Sequence, residues 1–504
     1  MSVINNPRLV GNATVSVVQT VISGLVLFFL YRYLIAHLGA EQLGLWSIIL
    51  ASTSVAKLSD MGLTGSVVKF VARYHALKDE EQASAVVQTA AISIALVMAV
   101  LVLVVYPLLG VILKLAIPVS SMPQAMSILP WAVFSLWLGC VGGVFQSGLD
   151  GCQRMDIRNI LMIIGNVLFL GAAYLLVPHY GLMGLAVGQA AQGLLLIVSS
   201  WVALRHQLNT LPWLPIYWSK AKFKEMFGYA VNFQINSIAV LFFVPITKLL
   251  MSRYGGLSSA AFYEMASQLV LKLRGLLISA NEALVPAVAV LHETSPDKVC
   301  ELYLKVYRIL FFLAVPFYAA ILISLPMISV LWIGHSEVQF LLFGALLVVG
   351  WGLNNLAGPA YFLNLGTGDL KWNSISHVVM AVLNVLLGLV LGPMLGALGV
   401  AISAMIALVV SSGLVIYALH KHYKISFRTL VPTDHYLLLF VVLCCIAISI
   451  GINAITQLSP TAVYPGTIKL GAYLTIVGVV MWFHPYRGML IERIKARRKG
   501  NDGQ

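Results

Sequence analysis

Apolar runs of roughly twenty or more residues recur about fourteen times along this chain, and they leave it few ways to fold. Each run is close to the length of α-helix that crosses about 30 Å of hydrocarbon. Only 10% of the 504 residues are charged, whereas a soluble domain carries about 25%. The sequence therefore predicts an all-α polytopic membrane protein. The approximate limits of the predicted spans are 10–36, 43–71, 85–113, 125–148, 159–178, 181–204, 226–252, 258–290, 301–330, 337–364, 374–393, 396–419, 436–457 and 463–484.

The basic residues are distributed unevenly between alternate loops. With the N-terminus inside, only Lys114 and Arg253 fall on the outer side. Because cytoplasmic loops carry an excess of lysine and arginine, this bias predicts that both termini are cytoplasmic. The net charge of +13 then reflects membrane orientation and does not indicate nucleic-acid binding. The basic residues on the predicted cytoplasmic side are Arg8, Arg73, Lys78, Arg154, Arg158, Arg205, Lys220, Lys222, Lys224, Lys298, Lys371, Lys421, Lys424, Arg428 and those after Pro485.

The second half of the chain repeats the order of motifs in the first half. A shift of 217 positions brings LGAEQLGLW (38–46) onto YGGLSSAAFY (254–263) and Lys57 onto Arg274. A shift of 218 brings NVLFLG (166–171) onto NVLLGL (384–389) and Gly148 onto Gly366. A shift of 215 brings GLMGLAVG (181–188) onto GALGVAIS (396–403). Since six spans separate equivalent motifs, the copies have the same orientation and should be related by an axis along the membrane normal.

The repeat predicts how the chain is divided. Two pseudo-symmetric six-helix lobes are expected at 1–204 and 226–421, joined by a cytoplasmic linker at 205–225 whose Trp, Tyr and Lys residues suit the membrane interface. Two extra transmembrane helices follow at 422–486, and a basic cytoplasmic tail occupies 487–504.

Basic residues in the middle of predicted spans are the first candidates for function. Lys57, Lys272 and Arg274 are mid-span, where a charge costs at least about 2.5–3.5 kcal/mol unless water, a partner or a ligand receives it. They either line a water-filled lumen and bind an anionic substrate or form structural pairs with nearby acids. Arg274 is favoured because it is the counterpart of Lys57, and Lys272 lies about 200° away from it around the helix. Lys248 either lines the same lumen or extends outward.

Three acidic residues within the spans are candidates for coupling or charge pairing. Asp60 lies three residues after Lys57, on the same helix face, so the two can pair and a phosphate can compete for the lysine. Glu264 and Glu282 lie in the eighth span. Each of the three could take up a proton or a sodium ion, so a gradient of either ion is a candidate for coupling, and no other cofactor is indicated.

The chain shows no arrangement typical of an enzyme. No histidine lies near the intramembrane acids, and no phosphate-binding loop or zinc-ligand spacing occurs. Five cysteines without a CxxC pair indicate neither a disulfide framework nor a metal site. We therefore expect a protein that is not an enzyme.

Three segments resemble a known family. They are RYLIAHLGAEQLGLW (32–46), SDMGLTGSVVKFVARY (59–74) and SANEALVPAVAVLH (279–292). They resemble the polysaccharide transporter family of the multidrug/oligosaccharidyl-lipid/polysaccharide flippase superfamily, and most closely its O-antigen-type flippases. The resemblance implies a multi-pass protein of the cell inner membrane that moves undecaprenyl-pyrophosphate-linked sugar units to the periplasmic leaflet through a cationic cavity between two lobes. It also implies a polyprenyl-pyrophosphate-linked glycan, membrane lipids and other polysaccharide-assembly proteins as partners.

Other functions stay open at this point. Within the superfamily, the alternatives are a peptidoglycan lipid-precursor flippase and a drug exporter, although the first span has no acidic residue that an exporter would use. From another class, a membrane polysaccharide polymerase or glycosyltransferase would need a sizeable extracytoplasmic loop. The longest predicted one, 113–125, is short and nearly uncharged.

The charge distribution yields a topology test. Reporter fusions within the 205–225 linker and at the C-terminus should both report the cytoplasm, because the lysines and arginines near these sites resist translocation. Alkaline phosphatase and green fluorescent protein fusions make the measurement, with a fusion in 113–125 as the periplasmic control. A periplasmic signal from either fusion would contradict the fourteen-span topology.

Overall fold

The computed structural model describes residues 7–54, 63–282, 284–295, 297–455 and 463–486. Within these ranges the chain is helical and contains no strand. The helices are α1 (Pro7–Ser54), α2 (Leu63–Ala76), α3 (Glu80–Ala116), α4 (Met122–Gly151), α5 (Met155–Arg205), α6 (Lys220–Glu282), α7 (Leu284–Thr294), α8 (Asp297–Ile333), α9 (Val338–Leu356), α10 (Gly358–Thr367), α11 (Lys371–Leu395), α12 (Ala397–His422), α13 (Tyr436–Ile455) and α14 (Val463–Phe483).

Three of the described helices, α1, α5 and α6, are each long enough to cross the membrane twice, and each bends at a glycine. α5 has 51 residues, which at 1.5 Å per residue is more than twice the thickness of about 30 Å of hydrocarbon. The bends lie at Gly39 in α1, Gly181 in α5 and Gly256 in α6, all with positive φ, which glycine adopts without steric cost. Each of these helices therefore contains two of the predicted spans, joined without a loop.

The spans agree with the fold predicted from the sequence. In the part of the chain that the structure describes, ten helices are long and apolar enough to cross a membrane. Three predicted spans are each filled by two helical segments. These are the part of α1 after Gly39 with α2, the part of α6 after Gly256 with α7, and α9 with α10. Counted in this way, the described helices fill about fourteen spans of membrane-crossing length. The predicted all-α polytopic membrane fold is confirmed.

Backbone geometry supports the internal repeat. Gly39 has φ 81° and ψ 171°, and Gly256, 217 positions later, has φ 81° and ψ 173°. Gly181 has φ 55°, and Gly396, 215 positions later, has φ 61°. Two of the alignment shifts read from the sequence therefore join glycines with matching backbone conformations. A glycine at each of these turns lets one span fold directly back into the next.

Close helix contacts locate the counterpart of Gly366. A Cβ on Gly366 would lie 2.7 Å from the Cβ of Val288. A Cβ on Gly151 would lie 2.7 Å from the Cβ of Val71, which is 217 positions before Val288. These equivalent contacts pair Gly366 with Gly151 rather than with Gly148. The sequence alignment at this point was therefore displaced by about one helical turn.

The chain forms two compact units. The first unit comprises Met1–Met265 and Ala381–Val400, and the second comprises Ala266–Met380 and Ala401–Gln504. In the first unit, α2, α3, α4 and the end of α5 pack around an apolar core. In the second unit, α13 and α14 pack against α8 through an apolar cluster. The lobe limits drawn from the sequence stay a prediction.

The turn between α2 and α3 shows how polar residues end the helices. Lys78 has φ 58°, a left-handed conformation that reverses the chain after α2. The Asp79 side chain then accepts a hydrogen bond of 3.1 Å from the backbone N–H of Gln82 and caps the start of α3. Glu80 and Glu81 lie in the first turn of α3, where negative charge interacts favourably with the helix dipole.

The paired glycines give a stability test. Gly151→Ala and Gly366→Ala should each destabilise the protein by about 1–3 kcal/mol, because the added methyl group would overlap a valine on the neighbouring helix. Gly413→Ala is the matched control, since a Cβ there meets nothing within 4 Å and alanine favours a helix. Thermal unfolding of the purified variants in one detergent measures the difference. Equal unfolding temperatures for all three variants would contradict the contacts described.

Candidate functional site

Arg274 is the centre of a cationic site in the second unit. It lies on α6, and its Nη2 atom donates a hydrogen bond of 2.9 Å to Oδ1 of Asn354 on α9. Its guanidinium carbon lies 4.2 Å from the centroid of the Trp351 ring. Trp351 and Asn354 are three residues apart and so share one face of α9. The charge is therefore held by a cation–π contact and a neutral hydrogen-bond acceptor.

A second hydrogen bond orients the Asn354 amide. Its Nδ2 atom donates to Oγ of Ser412 on α12 at 2.9 Å, and Ser412 donates in turn to the carbonyl oxygen of Leu408. Because the amide nitrogen is engaged, the amide oxygen faces Arg274. The arrangement holds the guanidinium in place without neutralising it.

The Arg274 site retains binding capacity. Its Nε atom is buried and has no hydrogen-bond partner among the described residues, and the hydroxyl of Tyr318 is likewise buried without one. In the described part of the chain, no carboxylate forms an ion pair with Arg274. A positive charge with an unused donor is suited to binding a phosphate or another oxyanion.

An apolar groove adjoins this site. It has a volume of about 250 Å³ and lies between α8, α9 and α13. Tyr318 lines it and interacts electrostatically with Arg274, whereas Gly352 and Leu353 line it from the face of α9 opposite Trp351 and Asn354. Leu353 and Leu443 on its rim are exposed, so the groove opens on the outer surface of the unit. A cationic site and an apolar groove therefore lie on opposite faces of α9 within the second unit, and Tyr318 is the residue that reaches both.

Lys248 and Glu264 form the most buried ion pair in the part of the chain that the structure describes. Their side chains are 11% and 6% exposed. Tyr31 on α1 donates a hydrogen bond of 3.2 Å to Oε1 of Glu264. All three residues belong to the first unit. Glu264 is therefore charge-paired, as one of its predicted roles requires, while the assignment of Lys248 to substrate binding stays a prediction.

A polar cavity of about 450 Å³ lies within the first unit. Its polar lining comes from Thr53 at the end of α1, Thr64 on α2, Ser135 on α4 and Gln189 on α5. The Oε1 atom of Gln189 is buried and has no hydrogen-bond partner among the described residues. Such a space can hold water and hydroxyl-bearing ligands.

The predicted site residues are only partly described. Arg274 is part-buried against α9, and Lys272 on the same helix is exposed, which agrees with their separation around the helix. Lys57 and Asp60 lie outside the described residues. Glu282 is the last residue of α6, and its side chain is likewise outside the description.

Sequence reasoning missed several site residues. Trp351, Asn354, Ser412 and Tyr318 are residue types that occur often in transmembrane helices, and none of them was selected as a site residue. Gln189 was missed entirely. A polar or aromatic residue on a transmembrane helix gains a role only from its rotation and depth relative to a neighbouring helix, which one sequence does not reveal.

No metal centre is described in the chain. Among the described residues, no group of three or more His, Cys, Asp or Glu side chains is close enough to hold a metal ion.

Cys152, in the turn after α4, is buried, and burial raises the pKa of its thiol to about 11. Its thiol therefore stays protonated and unreactive near neutral pH.

The fold and these sites define a class of protein. An inward-facing multidrug resistance MATE family transporter of the MOP superfamily matches 80% of this chain and 95% of its own, with TM-score 0.71 and 14% identity. The lipid II flippase MurJ in its inward closed conformation matches 95% of this chain and 100% of its own, with TM-score 0.72 and 12% identity. A MOP superfamily transporter from Pyrococcus furiosus matches 82% and 93%, with TM-score 0.53 and 15% identity. The chain has the fold of this superfamily.

The family follows from the sequence. A sequence model for the family described as polysaccharide biosynthesis protein matches residues 9–292, which is more than half of the chain. The chain therefore belongs to this polysaccharide biosynthesis family, and the resemblance stated from its motifs is confirmed. No match was found among curated protein sequences. The family and the solved relatives of the fold are transporters and flippases, not enzymes.

The buried ion pair gives a second stability test. Lys248→Met should destabilise the protein by about 3–5 kcal/mol, because it leaves the Glu264 carboxylate buried without its counter-charge. The double variant Lys248→Met with Glu264→Gln should recover most of this loss, since glutamine still accepts from Tyr31. Thermal unfolding in detergent measures both, and Lys272→Met, at an exposed lysine of the same helix, is the control. A single variant as stable as the wild type would show that the pair is not buried as described.

Proposed function

We propose that the protein is a flippase for lipid-linked oligosaccharides. Its substrate is an undecaprenyl-pyrophosphate-linked repeat unit of an O-antigen or exopolysaccharide, which it moves from the cytoplasmic to the periplasmic leaflet of the cell inner membrane. The protein works by alternating access, in which the binding site opens first to one side of the membrane and then to the other. Family membership supports polysaccharide biosynthesis as the process, and the fold supports transport.

The observation that carries this proposal is the Arg274 site beside its apolar groove. A lipid-linked sugar has a doubly anionic pyrophosphate joined directly to a polyprenyl chain. The unused Nε donor of Arg274 matches the phosphate, and the groove that begins at Tyr318 matches hydrocarbon. A drug or a metabolite without a long lipid would not need both a cationic site and an apolar groove in this unit.

The first unit supplies a complementary polar environment. Its cavity is lined by Thr53 and Thr64, and Lys57 and Asp60 lie between these two residues in the sequence. We place Lys57 in pyrophosphate binding, as the repeat counterpart of Arg274, and assign the threonine and glutamine oxygens of the cavity to sugar hydroxyls. Lys272, which is exposed on α6, is proposed as a further cationic contact for the anionic substrate.

The energetic problem that the protein solves is confined to the head of the substrate. A pyrophosphate cannot cross hydrocarbon unaided, whereas the polyprenyl tail stays in the lipid throughout. Asp60 keeps the empty Lys57 paired and is displaced when phosphate binds. The acids Asp60, Glu264 and Glu282 are the groups through which a proton or sodium gradient would drive the cycle.

A peptidoglycan lipid precursor has the same pyrophosphate and polyprenyl chemistry, and the match to a lipid II flippase fold makes it the second candidate. The two differ in the sugar, not in the groups that Arg274 and the groove recognise. The lipid-linked glycan that accumulates in the cytoplasmic leaflet of a strain lacking the protein separates them.

Charge should matter more than shape at the proposed phosphate site. Lys57→Ala and Arg274→Ala should each lower the flipping rate by about ten- to a hundredfold, which corresponds to the loss of a charged hydrogen bond worth about 1.5–3 kcal/mol. Lys57→Arg should retain much of the activity, and Asp60→Asn should impair turnover more than binding. The measurement is flipping of a lipid-linked oligosaccharide in proteoliposomes with matched amounts of each variant.

Lys421→Ala is the control for this experiment, because Lys421 is exposed at the end of α12. It should flip at the wild-type rate. Near-normal rates for both Lys57→Ala and Arg274→Ala would refute the cationic phosphate site.

A further inference from the structure

The segment between α5 and α6 is held in an extended path along α3. We call residues 206–219 the linker strap. Near its start, the hydroxyl of Thr210 donates a hydrogen bond of 2.9 Å to the carbonyl oxygen of Glu80, in the first turn of α3. At its end, the N–H of Ser219 donates to Oγ1 of Thr89 at 3.2 Å. The strap therefore follows α3 for more than two helical turns.

Side chains of α3 satisfy the backbone of the strap. Oε1 of Gln88 accepts hydrogen bonds of 3.2 and 3.1 Å from the N–H groups of Ile216 and Tyr217. The indole Nε1 of Trp218 donates to Oγ of Ser93 at 2.9 Å. A chain fixed by its backbone in this way cannot readily turn its outer side chains inward.

The outer side chains of the strap form an exposed apolar row. Leu208 and Leu211 are fully buried in the core of the first unit, at 0% and 1% exposure. The following side chains point the other way. Those exposed over roughly half of their surface or more are Trp213 (69%), Leu214 (70%), Ile216 (80%), Tyr217 (51%) and Trp218 (47%). A contiguous row of this kind on a folded surface marks a contact with another apolar or interfacial phase.

The position of the row along α3 indicates that the row contacts the membrane. Beyond Ser93, α3 exposes Leu96 and Val100, at 62% and 61%, and this face continues to Val111 as a lipid-facing surface. Thr89 and Ser93 bind the end of the strap. Leu96 is seven residues after Thr89, and Val100 is seven residues after Ser93, so these side chains lie on one face of α3. Ser93 is only about 4.5 Å along the helix axis from Leu96. The strap thus lies at the edge of the hydrocarbon, where tryptophan and tyrosine are most stable.

Positive charges border the row. The Arg205 guanidinium carbon lies 3.7 Å from the centroid of the Trp213 ring. Lys220 and Lys224 are exposed in the first turns of α6, immediately after the strap. Lys222, between them, is engaged by Tyr74 and Glu225. Aromatic side chains at the level of the headgroups with exposed lysines beside them are complementary to an anionic membrane surface.

We propose that the linker strap, with Lys220 and Lys224, is a binding surface for the anionic phospholipid headgroups of the leaflet that it borders. In the predicted orientation this is the cytoplasmic leaflet. The aromatic row inserts among the headgroups, and the two lysines bind their phosphates. This surface is separate from the Arg274 site and does not depend on the identity of the transported substrate.

The first test measures where the row lies. A variant without the five native cysteines receives Ile216→Cys, which is labelled with an environment-sensitive fluorophore and reconstituted as the full chain. Vesicles consist of phosphatidylcholine alone or with phosphatidylglycerol. The label should be quenched by a nitroxide placed near the lipid headgroup and shielded from aqueous iodide, with greater shielding when phosphatidylglycerol is present. Glu81→Cys, exposed in the first turn of α3 and farther from the hydrocarbon, should show the opposite quenching.

The second test measures the role of the lysines. The double variant Lys220→Gln with Lys224→Gln should raise the phosphatidylglycerol content needed for half-maximal shielding by up to about fivefold per lysine. Lys78→Gln, in the exposed turn before α3, is the matched control and should leave it unchanged. An unchanged requirement in the double variant would overturn the assignment of the lysines to headgroup binding.

Two further outcomes would overturn the proposal. If the label at position 216 stays open to iodide in both kinds of vesicle, the row faces water and is a docking surface for another protein. Soluble inorganic pyrophosphate is added to pure phosphatidylcholine vesicles as a separate arm, because it has the phosphate chemistry of the substrate. Shielding by pyrophosphate equal to that by phosphatidylglycerol would assign the lysines to a soluble or substrate phosphate instead of a membrane surface.

Discussion

The absence of water from the hydrocarbon of a bilayer governs this structure. Backbone groups that cannot bind water must pair within the chain, so every described spanning segment is a helix. The same constraint acts on side chains, and a charge persists in a span only where something compensates for its lost hydration. Lys248 has a carboxylate for this purpose, whereas Arg274 has an indole ring and an amide oxygen. The first arrangement neutralises the charge, and the second preserves it.

The internal repeat is preserved in backbone geometry and in close helix contacts. Gly39 and Gly256 have nearly the same backbone angles, and Gly151 and Gly366 make equivalent close contacts. Gly39 and Gly256 have a positive φ that other residues rarely adopt, whereas Gly151 and Gly366 have no room for a Cβ. Neither kind of position tolerates a larger residue without strain.

The sequence predicts best what depends on local pattern. The spans, their number and the repeat follow from apolar length and motif order, and Arg274 was selected because a charge in a span is costly. The pairing of Lys248 with Glu264 was not selected, since it depends on how two antiparallel spans face each other. Gly366 was aligned with Gly148 for a related reason. In a uniformly apolar helix, a displacement of one turn changes the pattern little, and only the packing of a neighbouring valine distinguishes the two positions.

Lys248 and Glu264 belong to one helix, α6, but lie on opposite sides of its bend at Gly256. A glycine bend by itself is a pivot, about which the two arms of a helix could swing. The ion pair links the two arms of α6 across the bend at Gly256. Because Lys248 and Glu264 would have to separate for the two arms to open, the ion pair opposes bending of α6 at Gly256.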